Sequence, residues 1–144
     1  MNYLKKTNYS LFLLLFCFLI LSCTRSADFA SPADVLVISD SDILGRWQID
    51  KYIEGGIDES AEFADVTVDF GKENKVIIFK NNSKIYEGSW RIRLNKSELA
   101  INIFNAIDPY DEFEGDWYVT KKDANTLWIL NIKSLGKEEF RMSK

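Results

Sequence analysis

"VTVDFGKENKVIIFKNNSKIYEGSWRIRL", residues 66–94, is the stretch whose reading decides the fold. Val66, Val68 and Phe70 fall on one side of an extended chain, and Asp65, Thr67 and Asp69 on the other. The same alternation sets Trp90, Ile92 and Leu94 against Ser89, Arg91 and Arg93. Between these runs stand "GKEN" and "NNS", short polar clusters of the kind that turn one antiparallel strand into the next. The stretch therefore reads as consecutive hairpins with one buried face.

Working outward, the punctuation continues from Gly45 to the end of the chain. Strands are expected at 45–53, 62–70, 75–80, 84–94, 97–104, 113–120, 125–132 and 137–142. No amphipathic helix of useful length follows Gly45, so the apolar face must be covered by another sheet or by the same sheet curling on itself. Eight sequential hairpin-linked strands predict an all-β domain, an eight-stranded antiparallel up-and-down barrel, which also removes open edges. A flattened two-sheet sandwich is the alternative. The inward face is expected to carry Trp47, Ile49, Val66, Val68, Phe70, Ile78, Tyr86, Trp90, Ile92, Ile101, Ile103, Trp117, Val119, Leu127 and Ile129. This set is bulky enough either to line a pocket or to fill it.

The tripeptide G-x-W occurs at Gly45-Arg46-Trp47, Gly88-Ser89-Trp90 and Gly115-Asp116-Trp117, with unequal spacings of 43 and 27 residues, so it is not a tandem repeat. "ILGRWQIDKY", 43–52, resembles the opening strand of lipocalins and other calycins. The order of "VDFGKEN", "EGSW" and the eight short strands is similar to the small lipocalin-like lipoproteins of bacteria, over about 100 residues, a usual size for one such domain. That resemblance implies a cavity for a small hydrophobic or amphipathic ligand, lined by the inward residues above. It also implies a cation–π contact closing one barrel end, with Trp47 and Arg141 at the matching positions; the alternation of Arg141 with Phe140 and Met142 leaves solvent as its other direction.

The N-terminus says where such a barrel works. Leu11 to Leu21 is an unbroken apolar run of 11 residues, about half of the roughly 20 that a helix needs to cross a bilayer. Lys5 and Lys6 precede it and Ser22 follows, the layout of a cleaved secretory signal peptide. "ILSC", 20–23, resembles the lipobox of bacterial lipoproteins, which implies acyl chains such as palmitate on Cys23 and a membrane anchor. The expected organisation is a leader at 1–22, a lipidated Cys23 with a polar tether at 23–40, and the barrel domain at 41–144, with "VLVIS", 35–39, closing one barrel end. The expected location is the bacterial cell envelope, anchored in the outer membrane and facing either the periplasm or the surface.

Composition narrows the function. Without the leader, sixteen basic side chains face twenty-two acidic ones, a balance of −6 that offers no basic stripe for a nucleic acid. The chain has no histidine, and Cys17 and Cys23 are its only cysteines, which excludes Ser-His-Asp triads, Cys-His dyads and His-ligated zinc. "DPYDEFEGD", 108–116, gathers five carboxylates but lacks EF-hand spacing, and is expected to be a solvated contact loop rather than a metal site. The resulting expectation is a non-enzymatic protein without cofactor or metal, binding a small apolar or amphipathic molecule. The alternative is an interaction module with a filled core that meets a protein partner through 54–61 and 105–112.

Overall fold

Alternation beginning at Gly45 sets the first strand, and the same pattern recurs through nearly the whole body of the protein. The computed structural model describes residues 36–93, 96–133 and 136–144. A single helical turn, α1 (Asp40–Ile43), precedes β1 (Gly45–Glu54), β2 (Ile57–Asp58), β3 (Val66–Phe70), β4 (Lys75–Lys80), β5 (Ser83–Arg93), β6 (Glu98–Ile103), β7 (Gly115–Lys122), β8 (Thr126–Lys133) and β9 (Gly136–Ser143). Two 3-10 turns, Ser60–Phe63 and Tyr110–Phe113, interrupt the connections before β3 and β7.

All adjacent pairs are antiparallel, and β9 returns to β1 with pairs from Gln48↔Ser143 to Glu54↔Glu138. The result is one closed eight-stranded up-and-down barrel made of β1 and β3–β9, with β2 a two-residue extension beside β1. The sandwich alternative does not occur, because the β1–β9 pairing joins the two ends of a single sheet. Asn81 and Asn82, both at positive φ, make the two-residue turn between β4 and β5 that this twist favours.

Two predicted strands start late. The segment from 62 becomes a strand only at Val66, since Ser60–Phe63 is a 3-10 turn and Asp65 sits at φ 60°. Likewise Phe113 ends a turn, and β7 begins at Gly115, whose φ of 139° only glycine adopts readily. Bulges between Ile49 and Lys51, Ile78 and Phe79, and Val119 and Lys121 shift the alternation partway along three pairings.

The strand directions define two ends. The connections 55–65, 81–82 and 104–114 leave the loop end. The other end receives the chain: Leu36 N–H donates to the Val119 carbonyl and Ile38 N–H to that of Lys96, with Ile38 and Ile43 fully packed beneath the barrel. Residues 36–43 thus close this end. The leader, Cys23 and most of the tether lie outside the described residues.

Candidate functional site at the loop end

The inward residues meet inside the barrel as one hydrophobic cluster. Trp47, Ile49, Val66, Val68, Phe70, Ile78, Trp90, Ile101, Ile103, Trp117, Val119, Leu127 and Ile129 are buried, while Tyr86 and Ile92 are half-buried against them. The expected inward set left out other groups that complete the filling, among them Tyr52, Phe63, Val76, Leu99, Phe113, Phe140 and Met142. Tyr52 is re-aimed by the bulge after Ile49, whereas Phe63 and Phe113 arrive on 3-10 turns with no period-two signal. The sequence did carry one clue, an apolar residue two places before a G-x-W glycine: Ile43 before Gly45 and Phe113 before Gly115.

These rings form a stopper beneath the loop end. Phe140 is sandwiched between Phe113 at 4.1 Å and Tyr52 at 4.4 Å, both stacked. Phe63 stands edge-on to Tyr52, Phe140 and Phe113, at 5.0, 5.2 and 5.7 Å. Trp117 packs from below at 5.3 Å and donates its indole N–H to the Phe113 carbonyl at 3.0 Å. Each such ring pair adds about 0.5–1.5 kcal/mol beyond burial, so the two loops that carry Phe63 and Phe113 are bound to the barrel and to each other.

Polar groups ring the stopper. Glu54, Glu112 and Glu138 bring carboxylate oxygens within 4.8 Å of one another, and Glu138 is only 4% exposed. Tyr52 donates its hydroxyl to Glu112 Oε2 at 3.4 Å. Burial, then the charges of Glu112, Glu138 and Glu54, hold that phenol far above its ordinary range. Asp108, Asp111 and Glu112 form a second close group on the acidic loop. Both triads offer the oxygen donors that hard cations take. On the rim, Lys80 donates to the Tyr110 hydroxyl at 3.0 Å, and Tyr110 lies 5.4 Å from Tyr86. Large apolar side chains stand in water on the same connections: Ile57 is 64% exposed, Ile107 66% and Phe104 49%.

The opposite end corrects the expected barrel-closing pair. Strand alternation turns Phe140 and Met142 inward, so Arg141 points outward, where its guanidinium lies 4.4 Å over the Trp128 ring and donates to Glu139 at 2.6 Å. The cation over Trp47 is instead Lys144, 4.2 Å from the ring, which also donates to the Leu44 carbonyl at 3.0 Å. Trp47 donates its own N–H to the Ile43 carbonyl at 2.7 Å. A residue just past β9 can curl under the barrel, whereas one within the strand cannot.

No family model and no curated protein matches the chain. Among solved structures, the fold is similar to that of a lipocalin-like protein from Bacteroides uniformis ATCC 8492, with 16% identity, a TM-score of 0.50, and coverage of 69% of this chain and 96% of that one. An uncharacterized protein from Bacteroides eggerthii DSM 20697 aligns with 12% identity and a TM-score of 0.48, over 70% of this chain and 98% of that one. The likeness is one of fold, and the lipocalin-like barrel expected from the sequence is the fold this chain has.

Proposed function

We propose that this lipocalin-like barrel is the folded body of an envelope lipoprotein held by acyl chains on Cys23, and that it acts as a non-catalytic recognition module through its loop end. The observation that carries the reading is the ring stopper of Tyr52, Phe63, Phe113 and Phe140, which occupies the space a deep ligand would need. Above it, Ile57 and Ile107 leave apolar surface in water, as an interface does before its partner arrives.

A second reading is favoured by the half-buried rim. The barrel fold suits a small-ligand role, and Lys80, Tyr86 and Tyr110 offer a mixed apolar and cationic seat on top of the stopper. There a small amphipathic molecule would rest on the rings rather than replace them.

Photo-crosslinking in the intact envelope separates the two. A crosslinker placed at Ile57 or Ile107 should capture a discrete protein, while one at Val37, an equally exposed apolar position at the other end, should not. A lipid-sized passenger in native mass spectra of the extracted protein, with no protein adduct from either loop, would overturn the interaction reading in favour of the second. Labelled palmitate should enter the full chain and be lost in Cys23→Ala; retention of the label would refute the anchor.

A further inference from the structure

Away from the loop end, the outer wall carries a groove that the proposed function does not use. Two clefts of about 410 and 420 Å³ adjoin across β4, β5 and β6, sharing Asn74 and Ser89. Their floor is low because small residues face outward there. Ser89 pairs with Asn102, and Ala100 stands opposite Arg91. At Gly88 the two strands approach so closely that any side chain would collide with the Asn102 carbonyl. The β3–β4 turn is drawn against one wall, with the Asn74 carbonyl accepting from Trp90 N–H at 2.9 Å and the Gly71 carbonyl from the Trp90 indole at 3.1 Å.

The charges along this groove are nearly all matched. Lys75 meets Glu73 at 3.7 Å, Lys84 meets Glu87 at 2.5 Å, and Arg93 is held by Asp116 and by Glu98 at 3.4 Å. Among the described residues Arg91 has no carboxylate partner, and it stands exposed beside the polar side chains of Ser89, Asn102 and Asn74. Phe104, half-exposed, lines the far cleft and is held opposite Glu87 by its N–H bond to that carbonyl, 2.8 Å. Arg91 and Glu87, the residue opposite Phe104, lie four positions apart along β5, a span of roughly 13 Å.

We propose that this groove is a second binding site, for a small organic carboxylate whose acid group meets Arg91 and whose apolar group lies against Phe104. A guanidinium accepts a planar carboxylate in a two-pronged bond, and the neighbouring amides and hydroxyl supply donors for the oxygens that remain. The anion fills the one unmatched charge in the groove. The site is independent of the loop-end reading and stands or falls separately from it.

The test uses the full chain in lipid nanodiscs with the photoaffinity probe 4-(4-benzoylphenyl)butyrate, its neutral amide as the matched control, and peptide mapping by mass spectrometry. Labelling should fall on the segments around 75–77, 87–91 and 100–104, with the acid about tenfold more effective than the amide. Arg91→Ala, an exposed change that leaves the fold intact, should abolish that preference. Phe104→Ala should lower the yield while keeping the preference. Equal labelling by acid and amide, labelling unchanged in Arg91→Ala, no labelling at millimolar probe, or labelling at the Tyr86 and Tyr110 rim instead would each overturn the proposal. The last of these would at the same time support the rim seat at the loop end.

Discussion

Both ends of the barrel are stopped by the same local device, and they differ in the side chains set around it. At one end α1 delivers Ile43, Gly45 follows at φ 122°, and Trp47 donates its N–H back to the carbonyl four residues earlier. At the other the turn Tyr110–Phe113 delivers Phe113, Gly115 follows at φ 139°, and Trp117 repeats the same bond. Around the first, opposite charges meet: Lys122 reaches Asp42 at 2.6 Å and Lys144 covers Trp47. Around the second, Glu54, Glu112 and Glu138 crowd together beside exposed Ile57 and Ile107. Among the described residues the first end leaves one large apolar side chain exposed, Val37, and the second leaves three, Ile57, Phe104 and Ile107, which is why the proposed recognition role is put at the second.

If the two stoppers are equivalent as structure, the largest truncations should cost alike. Phe113→Ala and Trp47→Ala are each expected to lose about 3–5 kcal/mol in denaturant unfolding. A cost below about 1 kcal/mol for Phe113→Ala would make the loop-end turn a loose lid rather than core and would break the comparison. Trp47→Phe and Trp117→Phe keep most of the ring but strand a buried carbonyl, at about 1–3 kcal/mol each. Unequal values would show that only one indole bond is structural.

The ends should also respond to pH in opposite directions. Asp42 is held below its ordinary 3.8, chiefly by Lys122, so its contribution is present above that value and is lost as pH falls through the lower folded pKa. Tyr52 is raised by burial and the nearby carboxylates, so its contribution is complete below 10.0 and is lost as pH rises beyond it. Thermal melts of Asp42→Asn should therefore converge on the parent in acid, and Tyr52→Phe should resist alkaline unfolding better than the parent. A Tyr52 phenol that ionises near 10.0 in the folded protein, read by ultraviolet titration, would contradict the crowded loop end. The smallest effect is expected from Lys144→Ala, about 0.5–1 kcal/mol, accompanied by a shift of the Trp47 indole resonance that Arg141→Ala leaves in place.

The barrel itself was legible because period-two alternation is a direct imprint of a sheet with one wet face. The strand Lys75–Lys80 was readable to the residue, and the turn after it to within one, since Ser83 belongs to β5 rather than to the connection. The stopper was not, since Phe63 and Phe113 sit on single turns whose position depends on rings brought together from distant strands. Arg141 was left between two directions, and the structure takes the one away from Trp47. A resemblance supplied the pairing, whereas the alternation of Phe140, Arg141 and Met142 already turned the guanidinium outward. The outer groove left no periodic trace, because it depends on small residues, Ser89 and Ala100, becoming neighbours across two strands.

The central claim is that the protein's own rings fill the barrel, leaving recognition to its outside. Xenon enters dry apolar cavities and reports them through nearby methyl groups. Under xenon pressure, the methyl resonances of Val68, Ile129 and Met142 in the full-length protein should stay where they are. A saturable shift at those interior positions would reveal a cavity among them and contradict the account.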